Sequence, residues 1–388
     1  MKSAYHETWL YNLTVAKEAK QWRKDGILSH HQLAAINEEY KSGFFHPNLI
    51  IRILLFIASL IALSGITGLL GLMLSGVLED AYAVLSLLYG IISFIILEIV
   101  LIRNHNHYKS RVNEALLYHS IGFTILGMGG ISDFDTHVMI VSCLLIFSFA
   151  TYRYLDLIST AAALCSLAAL VFYEMYEMQG MAQQIIPIAF IVLFTPLYFY
   201  FKKLKNRENT ETWENCLILA ESFSLLMIYI AGNYFVVREL SVNLMNLSLE
   251  NGEDIPFAFL FYLLTVCIPF LYLYFGIKKK DLVLLRVSLL VLAFSVFTFK
   301  YYYSTGHHEI TFTVSGLLLL SISLALFRYL KIPKHGYTRD NIVKEKWAEM
   351  NPEAIVISQT LGGNTVTADE TFKGGGGSFG GGGASGEF

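Results

Sequence analysis

Residues 53–76 read ILLFIASLIALSGITGLLGLMLSG, 24 consecutive positions without a charged side chain. At about 1.5 Å of rise per residue, a helix of this length crosses the roughly 30 Å hydrocarbon core of a bilayer. Lipid offers no partner to a peptide N–H or C=O, so such a run is stable there only when its backbone bonds close internally. Nine further runs follow, at 81–102, 112–130, 137–154, 157–176, 185–201, 213–237, 256–277, 282–299 and 310–330. None alternates with the period of two that a membrane barrel requires. The fold expected is all-α: a polytopic transmembrane bundle of ten helices.

The composition of the 388 residues points the same way. They are 55% hydrophobic and 15% charged, with a mean hydropathy of +0.52. Soluble domains carry about 25% charge. Seven prolines, four cysteines and no glycine period outside the tail exclude collagen and a disulfide scaffold. A net charge of −3 gives no electrostatic footing for a nucleic acid. Cys143, Cys165, Cys216 and Cys267 all fall within spans, where cysteine behaves as a small hydrophobe.

Basic residues set the orientation, because cytoplasmic loops carry the excess of Lys and Arg. With the N-terminal segment inside, 26 of the 28 Lys and Arg fall inside, and only Arg238 and Lys300 fall outside. The outer connections are acidic or neutral, as in Glu79-Asp80 and Asp133-Phe134-Asp135. Both termini are therefore expected in the cytosol. No secretory signal is expected, since residues 1–47 are polar and lack an apolar core.

Four regions follow: a cytosolic amphipathic segment at 1–48, a membrane domain at 49–331, an extension at 332–373 and a Gly-rich tail at 374–388. The first segment reads as two short helices. One covers about 5–24 and stops at Asp25-Gly26; the other opens at Ser29, with Gln32 at the spacing of a capping box. Its thin apolar face of Leu33, Ala34 and Ile36 is too small for an independent core, so docking onto the membrane domain is expected. In the extension, Asn351, Pro352 and Gly362-Gly363 predict a short helix at 352–361. The tail, GGGGSFGGGGASGEF, loses too much backbone entropy to fold. It reads either as a spacer or as a segment whose Phe379 and Phe388 meet a protein partner.

The Trp22…Gly26-Ile27-Leu28-Ser29…Gln32 entry before many spans, with Leu285-Arg286 opening the penultimate one, resembles a family of bacterial multi-pass membrane proteins of unknown function. The resemblance covers the first 50 residues best and implies a location in the cytoplasmic (inner) membrane with no known activity.

Two spans share a pattern. Thr195-Pro196-Leu197-Tyr198-Phe199-Tyr200 precedes Lys202-Lys203, and Ile268-Pro269-Phe270-Leu271-Tyr272 precedes the lysines from Lys278. A proline inside a helix removes one backbone bond and frees a carbonyl a turn earlier, so kinks are expected at Pro196 and Pro269. If hairpins repeat, six residues from a polar start lead to His119, Glu221 and Arg286, each about 9 Å along its helix. Glu98 lies at comparable depth. Ionised side chains facing lipid are costly and normally pair inside the bundle. This predicts a cytosol-facing polar layer of Glu98, His119, Glu221 and Arg286. It is either a clamp built on Glu221 and Arg286 or a substrate or proton site. The glycines of 65–76 are expected to permit close helix packing.

No metal ligand set, cofactor loop or catalytic triad stands out. His307-His308-Glu309 are adjacent loop residues with poor coordination geometry. The expected partners are the lipid bilayer, a protein for the C-terminal tail and a second copy of the chain. Two functions remain: a non-enzymatic scaffold or accessory component, or a transporter of a small solute or ion that uses the polar layer and helices broken at Pro196 and Pro269.

Overall fold

The structure is a computed structural model. It describes residues 3–24, 26–45, 49–178, 185–207, 210–244 and 254–302, together with a few helical positions between 313 and 328. Most of the tenth expected span, the helix expected at 352–361 and the Gly-rich tail lie outside the described residues.

Two helices precede the membrane domain, α1 (Glu7–Lys24) and α2 (His30–Glu39). Ser29 caps α2 as expected: its Oγ accepts the Gln32 N–H at 3.3 Å, and Gln32 Oε1 accepts the Ser29 N–H at 2.9 Å. The segment docks. Tyr5, Leu10 and Phe44 share a buried apolar cluster with Leu97, Ile102, Leu116 and Tyr154 of the membrane helices. Backbone bonds complete the seam, from Ala4 N–H to the Arg153 carbonyl (2.8 Å) and from Phe45 N–H to the Asn106 carbonyl (3.1 Å).

The remaining helices are α3 (Leu49–Met73), α4 (Ser75–Ile96), α5 (Val112–Ile131), α6 (Thr136–Tyr154), α7 (Leu157–Glu177), α8 (Ile186–Lys205), α9 (Glu214–Gly232), α10 (Tyr234–Asn243), α11 (Ala258–Lys279) and α12 (Leu282–Tyr302). Among the described residues, eight helices are long and apolar enough to cross a membrane, which makes the chain a membrane-spanning helical protein. The expected third span is also a helix, α5, which carries Asn113, Glu114 and His119 and is not among those eight. The expected seventh span is cut short. At Asn233 the backbone turns extended (ψ 124°) and its side chain accepts the Val236 N–H, so α10 starts afresh.

The tightest helix pairs are the hairpins α4/α5, α6/α7, α8/α9 and α11/α12, which pack side by side through α5 against α6, α7 against α9 and α9 against α12. All four hairpins turn at the same end, the lysine- and arginine-rich one. Glycines close the first hairpin. A Cβ at Gly127 would lie 2.5 Å from Leu87 N, and one at Gly130 2.6 Å from Ala83 Cβ. Gly65, Gly68 and Gly71 of α3 and Gly76 at the start of α4, expected to serve this role, instead face open space.

Helices α8 and α11 run continuously through Pro196 and Pro269, against the expectation of broken helices. At Pro269 the reason is visible. The carbonyl of Thr265, four residues earlier, loses its helix donor and instead accepts from Ser295 Oγ of α12 at 2.9 Å. Ser295→Ala should therefore destabilise the bundle by about 1–3 kcal/mol, the cost of an orphaned buried acceptor. The same change in a Pro269→Ala background, where the helix donor is restored, should cost much less. Thermal unfolding in detergent of the four combinations measures this; equal losses in both backgrounds would refute it.

Candidate functional site

Short turns bring charges together at the basic end. Between α6 and α7, Leu155 is left-handed (φ 57°) and Asp156 caps the next helix, accepting the Ser159 N–H at 2.7 Å. Between α11 and α12, Lys280 is left-handed (φ 53°) and Asp281 accepts the Val283 and Leu284 N–H groups at 3.0 and 3.2 Å. The two turns are built alike, and each aspartate also holds the preceding hairpin. Tyr118 of α5 donates to Asp156 at 2.8 Å. Lys202 of α8 pairs with Asp281.

The second tie continues into the bundle. Lys202 Nζ also donates to Tyr198 OH at 3.0 Å and lies 3.9 Å from Glu221 Oε1. Glu221 is fully buried, and its Oε2 pairs with Lys205 at the end of α8. Asp281–Lys202–Glu221–Lys205 is thus a line of alternating charge joining α8, α9 and the α11/α12 turn. Burial pushes the Asp281 carboxyl up, but Lys202 and the two backbone N–H groups outweigh it and hold the group below the ordinary carboxylate range.

A second ionic cluster joins the first two hairpins. Past Ile96, α4 unwinds into a π-helix, Leu97–Asn104, which carries Glu98 and Arg103. Glu98 accepts from Arg103 at 3.0 Å and pairs with Arg153 at the end of α6. Arg153 Nη1 also donates to the Ser3 carbonyl at 3.3 Å, so one guanidinium holds α6, the π-helix and the N-terminal segment. Trp213 completes the row, donating from Nε1 to the Tyr152 carbonyl at 3.1 Å.

The four residues expected in one polar layer do not meet. Glu98 belongs to the Arg103–Arg153 cluster, and Glu221 pairs with Lys205 and Lys202 rather than with Arg286. His119 lies between helices, 3.1 Å from Tyr89 OH of α4. Arg286 is exposed on the outer side of α12. The physical reason is rotation. A shared depth of six residues fixes height along a helix, whereas the face presented at that height depends on how each hairpin packs. The missed partners Lys202, Lys205 and Arg153 bear long side chains at helix ends. For Lys202 and Lys205, a basic helix end opposite an acid two turns into its hairpin mate was the available signal; Arg153 and Glu98 lie on different hairpins, and no such spacing marks them.

A cavity of about 310 Å³ opens at this end, lined by Tyr5, Lys109, Arg111, Glu114, Tyr118 and Asp156 among others. It lies beside the N-terminal seam. On its wall Arg111 pairs with Glu114, three residues on, at 3.2 Å, and Tyr5 OH accepts from Asn113 Nδ2 at 3.3 Å. Burial raises the Tyr5 hydroxyl far above its ordinary pKa and pushes Tyr108 up to about 12, so both are neutral hydrogen-bonding groups. Burial, with His105 nearby, lowers His107. No group of three or more His, Cys, Asp or Glu side chains fit to hold a metal ion occurs among the described residues.

No protein-family model, characterised protein or solved structure matches this chain. The likeness to a bacterial multi-pass family is thus without a matching family model. The chain is a helical protein with several candidate membrane spans.

Proposed function

We propose that this chain is a non-enzymatic scaffold or accessory component of a cytoplasmic (inner) membrane, with both termini in the cytosol. One observation carries the reading: four acids of the basic end tie neighbouring helices together. Glu221, Asp281, Glu98 and Asp156 each hold a side chain of a neighbouring helix or hairpin. Such ties fix hairpins against one another. A transport site needs polar groups left open to a solute, and its proposed walls, Glu221 and Arg286, lie one in the sealed interior and one on the outer surface. The orientation follows from the Lys and Arg bias, and the bacterial assignment from the resemblance of the N-terminal entry.

The docked N-terminal segment supports the same reading, since it leaves Tyr11, Trp22 and Ile27 exposed, apolar surface open to a partner. Proteoliposomes loaded with a pH-sensitive dye, under imposed proton, sodium and potassium gradients, test the proposal. Wild-type protein and a Glu221→Gln/Lys205→Met variant should leak equally. A wild-type flux lost in that variant, at unchanged thermal stability, would favour the transporter instead.

A further inference from the structure

We infer that the lysine-rich end of the α11/α12 hairpin holds the phosphate of an anionic phospholipid, with Arg286 as the group that reaches into the leaflet. The exposed side of α12 runs through Leu282, Arg286, Leu289, Leu290, Val296 and Phe297, the spacing of one helical face. In a membrane-spanning helix, a face this apolar meets lipid. Arg286 lies four residues in from the start of α12, about 6 Å along the axis. It has no ion pair among the described residues, and the nearby acids are already engaged, Asp281 by Lys202 and Glu221 by Lys205.

The surroundings match an interface. Tyr274 and Phe275 at the end of α11 are exposed, with Lys278 Nζ 5.5 Å and Lys279 Nζ 5.4 Å from their ring centres. Aromatic rings settle at headgroup level, and basic side chains stretch from apolar surroundings toward it. Gly276 brings the two backbones together, since a Cβ there would lie 3.0 Å from Leu285 N. Phe275 and Arg286 therefore flank one close crossing. A guanidinium offers a planar fork that matches two phosphate oxygens, and a phospholipid supplies that phosphate at the required depth. The inference goes beyond the scaffold reading and does not depend on it.

Native mass spectrometry of the detergent-purified full chain, equilibrated with equal phosphatidylglycerol and phosphatidylcholine, tests the site. Wild type should retain phosphatidylglycerol in excess. Lys279→Gln/Arg286→Gln should lower that excess by roughly fivefold per charge removed. Lys20→Gln/Lys24→Gln, which removes two charges from exposed positions on α1, should leave it unchanged. Equal retention of both lipids by wild type overturns the inference, as does an equal fall in the α1 variant. Displacement of the lipid by millimolar inorganic phosphate would mark a site for free phosphate and overturn it too. So would a dimer that forms in wild type and is lost in the α12 variant. Stabilisation of wild type by added phosphatidylglycerol over phosphatidylcholine gives a second reading that needs no variant to fold.

Discussion

Glu221→Gln should be among the most damaging single changes in this protein. The carboxylate is fully buried in α9, and Lys205 reaches it from the end of α8 while Lys202 stands 3.9 Å from its other oxygen. Removing one partner of a buried ion pair leaves the other charge desolvated and costs about 3–5 kcal/mol. The loss should appear as a lower thermal midpoint and poorer recovery of folded protein in detergent. Glu221→Gln/Lys205→Met removes both charges, and because apolar replacement of a buried pair is often neutral, it should recover most of the stability. Arg286→Gln should restore nothing in the Glu221→Gln background, since Arg286 is not the partner. A single variant as stable as wild type, or a double variant no better than the single, would remove the pair from the account of this bundle.

Arg153→Met should loosen the N-terminal segment without unfolding the helices beneath it. The guanidinium pairs with Glu98 of the π-helix and donates to the Ser3 carbonyl, while the Arg153 carbonyl accepts the Ala4 N–H. Hydrogen bonds to a charged group contribute about 1.5–3 kcal/mol each, so local opening of the docked segment should rise by roughly 10- to 100-fold. Hydrogen exchange of peptides from α1 and α2 reads this directly, with peptides from α11 and α12 as the unaffected control. The apolar contacts of Tyr5, Leu10 and Phe44 remain, which is why the segment loosens rather than leaves. Exchange that rises equally across the molecule would mean that Arg153 supports the whole fold instead of this seam.

The membrane helices were legible from residue to residue because hydropathy is a local property. A run such as 53–76 must be a helix wherever it packs, since lipid leaves its backbone no other partner. The capping box at Ser29 and Gln32 was legible for the same reason, as both bonds close within four residues. The break at Asn233 was missed although Gly232-Asn233 marked it, because the apolar residues on either side read as one run. The matched turns Leu155-Asp156 and Lys280-Asp281 are also visible in sequence, each as an aspartate at the capping position before an apolar run.

Sequence alone determined that this chain is a stack of apolar helices, where most of those helices run, and that its cations gather at one end of them. These follow from free energies of transfer and backbone closure that each segment meets by itself. Only the tertiary structure decided which charges meet: that Glu221 belongs to Lys205, that Glu98 belongs to Arg153, and that Arg286 faces outward. Residues at equal depth on different helices differ by rotation about the helix axis. That rotation is set by close approaches such as Gly127 on Leu87 and Gly276 on Leu285, which arise only once the hairpins have packed.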